Sequence, residues 1–134
     1  MATNIFVNLP VKDLDKSIAY FRKLGFDFNP KFTDATATCM IVADGIYVML
    51  LTEAKFREFT PKQICDTRTS TEMLLALSLD SRAEVDALAE AAVAAGGTTY
   101  SDPKDYGFMY QRAFQDLDGH SWELFHMDPS FTQG

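Results

Sequence analysis

IFVNLPVKDLDKSIAYFRKLGFDF, residues 5–28, runs from an apolar strand through acidic residues into an amphipathic helix that stops at Gly25. The strand reads from Asn4 to Leu9, with Pro10 ending regular pairing. Its alternate sets are Ile5/Val7/Leu9 and Phe6/Asn8, so both faces are largely apolar. Such a strand belongs to a sheet covered on one side that lines something on the other. Asp13 or Asp15 can cap the helix, which sets Leu14, Ile18, Phe21 and Leu24 or Gly25 along one stripe, and Gly25 suits the C-cap.

The same pattern recurs in LLALSLDSRAEVDALAEAAVAAGGTTY, residues 74–100. Here the strand is Met73 to Leu79, and Ser81 followed by Glu84 makes a capping box. Val85, Leu88, Ala89, Ala92 and Val93 form the buried helical face, and Gly96-Gly97 ends it. Each copy continues as a meander. The first has strands at Phe26–Phe28, Thr36–Ala43 and Ile46–Leu51, with Asp44-Gly45 as a hairpin turn. The second has Thr98–Tyr100, Phe108–Gln115 and Ser121–Met127, the last two joined by the turn from Asp116 to His120. The order is β-α-β-β-β twice. An extra strand per half argues against a ferredoxin-like sandwich.

These readings predict a single α+β domain over 1–134, with modules at about 4–53 and 72–128. The two βαβββ modules are expected to form one curved, cup-shaped mixed sheet with helices outside. Leu14, Ile18, Phe21, Val85, Leu88 and Ala92 are expected against its outer face. Between the modules, 54–71 is polar, contains Pro61, and carries Phe56, Phe59 and Ile64 at spacings that suit short helical turns. An excursion of this length serves as a lid or a dimer arm.

Composition bounds the function. The 134 residues are 47% hydrophobic, which supports a packed core. Lys and Arg number 12 against 19 Asp and Glu, a net charge of -7, and no basic cluster stands out. That field repels phosphate and argues against nucleic acid as a partner. No apolar run approaches the roughly 20 residues needed to cross a bilayer. The first ten residues lack the pattern of a secretory signal. Cys39 in an apolar strand and Cys65 in a polar connection read as thiols of a cytoplasmic protein.

Asn8 to Phe21, then Leu24-Gly25-Phe26, and at the far end Phe114-Gln-Asp-Leu-Asp-Gly-His-Ser-Trp-Glu-Leu124 carry a resemblance over nearly the whole chain. In order and spacing they resemble the vicinal oxygen chelate superfamily, which includes glyoxalase I, extradiol dioxygenases and the fosfomycin and bleomycin resistance proteins. The resemblance implies paired βαβββ modules around a cup and a homodimer. In the family's metal enzymes, His and Glu side chains hold a divalent ion. The matching places here fall on Phe6, Leu50, Leu74 and Glu123, of which only Glu123 is a ligand type. Protein zinc or iron sites draw on three or more His, Cys, Asp or Glu ligands. In an extended strand Glu123 shares a face with Ser121 and Phe125, whereas His126 lies on the other and His120 sits in the turn. The expectation is no bound metal and no other cofactor.

Glu123 is therefore the leading ligand contact, and the general base if an acidic carbon is bound. The alternative is an exposed strand carboxylate or a salt bridge to Arg112. Asn8 offers an amide, with bonding to sheet backbone as the alternative. Phe6, Leu50 and Leu74 are candidates for an apolar wall, against plain core packing. Tyr110 and Arg112 share one alternation and suit an anionic or phenolic ligand. The reading is a metal-independent small-molecule binding or sequestration protein. Its alternative is a metal-dependent lyase, isomerase or extradiol-type dioxygenase that uses Glu123. A third is an interaction module whose cup is filled by its own side chains.

Overall fold

The computed structural model describes residues 3–131. Its elements are β1 (Ile5–Val11), α1 (Leu14–Lys23), β2 (Asp27–Asn29), β3 (Ala37–Ala43), β4 (Ile46–Thr52), α2 (Glu53–Arg57), β5 (Leu74–Ser78), α3 (Arg82–Ala94), β6 (Lys104–Asp105), β7 (Met109–Gln115) and β8 (Ser121–Met127). The chain divides into two compact units, Met1–Cys65 and Asp66–Gly134.

Hydrogen bonding separates the strands into two four-stranded mixed sheets, ordered β1-β4-β3-β2 and β5-β8-β7-β6. In each, the opening strand pairs parallel with the closing one and the remaining ladders are antiparallel. This overturns the expected single curved sheet: neither four-stranded sheet curls or closes into a cup. The physical reason lies in the strand order. Each module's opening strand takes its parallel partner from its own module and ends up at a sheet edge, so the repeat completes two ladders instead of one.

In the first unit, Val7, Leu9 and Val11 alternate toward α1 while Phe6 and Asn8 point to the opposite, open face. Leu9, Val11, Val48, Met40 and Leu50 are buried with Leu14, Tyr20 and Phe21 of the helix. Ser17 and Tyr20 are buried in place of Ile18, which is only half-buried. Asp13 is the cap: its carboxylate accepts the Lys16 N–H at 3.1 Å. After Leu24, Gly25 takes φ +101°, a left-handed turn that glycine adopts without a Cβ penalty. Pro10 does not end β1. It lies inside an edge strand, where a residue lacking an N–H is tolerated.

In the second unit, Val85, Ala89 and Ala92 bury the α3 face, with Leu88 half-buried. The capping box forms with one change of partner. Ser81 Oγ accepts the Glu84 N–H at 3.1 Å, and the Glu84 carboxylate accepts the Asp80 N–H at 2.9 Å. Phe114 and Trp122, paired across β7 and β8, stack with ring centroids 6.0 Å apart. The strand expected at Thr98–Tyr100 shrinks to a single bridge, Thr98 to Gln115, and the edge strand is instead Lys104–Asp105. Beyond Thr98 the backbone leaves the ladder, and the Thr99 hydroxyl donates to the Ala113 carbonyl at 3.0 Å where an N–H would otherwise do so.

Candidate functional site

The β7–β8 hairpin determines which side chains share a face. The turn from Asp116 to His120 is held by the Asp116 carboxylate, which accepts N–H bonds from Asp118 at 2.9 Å and His120 at 3.1 Å. Its other oxygen accepts the Trp122 Nε1–H at 3.0 Å. Burial pushes the Asp116 carboxyl up, offset by His120 and these donors. The turn fixes Gln115 opposite Ser121 and hence Ala113 opposite Glu123.

Ser121, Glu123 and Phe125 consequently face away from α3, together with Gln111 and Ala113 of β7 and Leu74 and Ala76 of β5. Glu123 is flanked by alanine on both neighbouring strands, Ala76 on β5 and Ala113 on β7. Nothing longer than a methyl group stands beside it in the ladder. One carboxylate oxygen, Oε2, accepts the Gln111 amide at 2.5 Å. Tyr100 reaches the same face through a hydrogen bond with Ser121; burial, and then the Glu123 charge, push its phenol up. A phenol so placed stays protonated and can donate or accept.

Tyr110 and Arg112 lie on the opposite face, against α3. The Tyr110 hydroxyl donates to Asp86 Oδ1 at 2.6 Å, and Arg112 donates to the same oxygen at 3.1 Å, with Glu90 at 3.8 Å. The Tyr110 bond, and then Arg112, hold the Asp86 carboxyl low, and the same bond holds the Tyr110 phenol high. Arg82 lies over the Tyr110 ring at 5.2 Å and pairs with Asp105 at 2.7 Å. His126 is also on this side, its Nδ1 2.9 Å from the Leu79 carbonyl. A carbonyl only accepts, so Nδ1 carries the proton.

The other sequence candidates separate similarly. Leu74 is 55% exposed on the open face of the second sheet. Phe6, 50% exposed, stacks on Tyr47 at 4.8 Å on the open face of the first. Asn8 is beside it and donates to the Phe6 carbonyl at 3.3 Å. Leu50 is fully buried, because it pairs with Leu9 on the α1 side. Asn8 pairs with Met49 as Ala76 pairs with Glu123, so the first-unit counterpart of Glu123 is Met49, one residue from the match at Leu50. Sequence reasoning passed over Gln111, Tyr100 and the two alanines. Counting back from the Asp-Gly turn would have found Gln111 and Ala113. Nothing local marks Tyr100.

The donors do not suit the divalent ion that the resemblance implies. Among the described residues, no three His, Cys, Asp or Glu side chains are grouped to hold a metal. Cys39 is buried, its thiol pushed up by burial, and Cys65 is half-buried; neither forms a disulfide among the described residues. Among the described residues, no helix is long and apolar enough to cross a membrane.

The family model described as the glyoxalase/bleomycin resistance protein/dioxygenase superfamily matches residues 5–124. The chain belongs to that superfamily, a class of small-molecule-binding proteins. Among solved structures it is similar to a hypothetical protein from S. aureus, at 25% identity and TM-score 0.80 over 94% of both chains. It is also similar to a family enzyme from Burkholderia phytofirmans PsJN, at 17% identity and TM-score 0.75 over 91% of this chain and 96% of that one. A genomically encoded fosfomycin resistance protein from Listeria monocytogenes aligns at 21% identity and TM-score 0.67, over 94% and 91%. The last two likenesses carry the fold alone. No curated protein sequence matches the chain.

Proposed function

We propose that the protein binds a small organic molecule, without a resident metal, on the open face of the second sheet around Glu123. The observation that carries this reading is the Glu123 carboxylate between two alanines, with one oxygen fixed by Gln111 and the exposed Ala76 beside it on the edge strand. A half-buried carboxylate aimed by an amide is a preorganised acceptor, and small neighbours leave room for a ligand to approach it. Leu74, Phe125 and Tyr100 supply apolar and aromatic surface around it. Among the described residues no three His, Cys, Asp or Glu converge, which supports binding over the metal-dependent alternatives.

A homodimer is part of the same proposal. It rests on the resemblance and on the segment after β4, where Phe59 is 69% exposed. Sedimentation across a dilution series tests it, with a mass near 15.0 kDa throughout counting against it. The binding reading is tested by calorimetric screening of a metabolite set with and without chelator. Saturable binding that chelator leaves intact and Glu123→Gln changes is expected. Binding that appears only on adding zinc, manganese or iron would overturn it.

A further inference from the structure

We infer that the ligand of the Glu123 face is an organic cation: a protonated amine or amidine on a flat apolar body. This rests on the reading that the face is a binding site, and goes beyond it by fixing the charge of the occupant.

Three observations carry the inference. First, the Glu123 charge is left without a protein counter-charge. Among the described residues it forms no ion pair. Arg112, the only Lys or Arg in β5, β7 and β8, turns to the other face and is taken by Asp86. Lys104 shares the open face as the register partner of Gln111, but it sits on β6, two strands out from β8. Second, the acceptor is half used. Gln111 binds Oε2, and among the described residues no protein donor reaches Oε1. The Gln111 amide donates one of its two N–H groups to the carboxylate. Third, the frame suits a cation attached to a ring. Tyr100, 43% exposed, bonds to Ser121 on this face and feels the Glu123 charge, and Leu74 is exposed on the adjacent strand. A carboxylate in part-buried surroundings rewards a charge-assisted donor and penalises an anion, which would bring like charges together without a mediating cation.

The three-membered series tryptamine, tryptophol and indole-3-propionate tests this, because it varies charge on one indole body. The readout is the movement of the Ala76, Ala113 and Glu123 backbone amides in heteronuclear NMR titrations of the full chain. Tryptamine is expected to move these amides and to half-saturate at about ten-fold lower concentration than tryptophol, with indole-3-propionate inert. Glu123→Gln keeps an acceptor of the same shape and removes the charge, so the tryptamine advantage should vanish while the tryptophol response stays. Ala76→Leu fills the space beside Glu123 and should weaken both, and it serves should the first variant misfold. Stronger binding of the acid or the alcohol at those amides would overturn the cation and leave the binding face intact. No movement with any member, in protein whose spectrum is that of the folded chain, would overturn both.

Discussion

Arg112 and Glu123 lie on opposite faces of one hairpin: Arg112 is set against Asp86 on α3, and Glu123 opens away from the helix beside Gln111. A strand-period argument alone puts them one odd step apart, since Arg112 pairs with Leu124. The separation leaves the acid without Arg112 as a partner and gives the arginine a positioning task, clamping α3 to β7.

That clamp should be visible as a pH dependence. The Asp86 carboxyl is held low by the Tyr110 hydroxyl and then by Arg112. A carboxyl with a depressed folded value contributes stability above its unfolded value near 4 and loses it as pH falls through the folded value. Asp86 is 43% exposed, so solvent limits the contribution to about 1 kcal/mol or less. Urea unfolding from pH 2 to 7 should show Asp86→Asn with a shallower acid loss than the parent. Parallel curves would show that the pair contributes nothing.

Gln111 should be coupled to Glu123 specifically. Replacing Gln111 by Leu strips Oε2 of its donor in a half-buried place, at a cost of about 1–2 kcal/mol. Once Glu123 is Ala, the same replacement should cost almost nothing, because the orphaned acceptor is gone. A double-mutant cycle in urea measures this, and a coupling energy indistinguishable from zero would mean the amide bond is solvent-equivalent.

Much of this arrangement was legible in the chain, for reasons that also mark where legibility ended. Ser81/Glu84 and Asp13 are local capping chemistry, settled within four residues, and both caps form. Strand alternation alone separates Glu123 from Trp122 and His126, and the Asp116–His120 turn fixes that phase in β8. Phase in the first unit slipped at Leu50, because Val48, Met49, Leu50 and Leu51 are all apolar and alternation has no contrast to read. The sheet assembly was hidden for a different reason. A repeated βαβββ pattern specifies each ladder, while the joining or separation of two ladders depends on edge pairing that the strand pattern leaves open. Tyr100 was invisible because it acts from irregular chain beyond the Thr98 bridge, not from a strand.

Asp116 should be the costliest polar substitution in the hairpin. It is 6% exposed and serves Asp118, His120 and Trp122 at once. Asp116→Ala removes the acceptor shared by a buried indole N–H and two turn amides, and about 3 kcal/mol of stability should be lost. Trp122 is the only tryptophan in the chain, so its fluorescence reports both the unfolding midpoint and the altered indole environment. A loss below about 1 kcal/mol would show the turn to be held by its backbone alone.

Gly119 gives the last test, since two independent constraints meet there. Its φ of +81° disfavours any Cβ, and a Cβ built on it would lie 2.6 Å from Thr67 Oγ1 and 3.0 Å from Thr67 Cβ. Thr67 is held in that position by donating its hydroxyl hydrogen to the Asp118 carbonyl, which ties the start of the second unit to the turn that phases β8. Gly119→Ala should therefore lose about 1–2 kcal/mol from backbone strain and a further 1–3 from the clash. Thr67→Gly removes the obstructing side chain, so the double variant should recover the clash portion and keep the strain portion. Thermal unfolding of both singles and the double gives the split. Strictly additive losses would mean Thr67 moves aside at no cost and does not hold the turn. A sub-additive total, with the Glu123 amide shift restored toward that of the parent, would place Thr67 and Gly119 as the pair that holds the β8 carboxylate in phase.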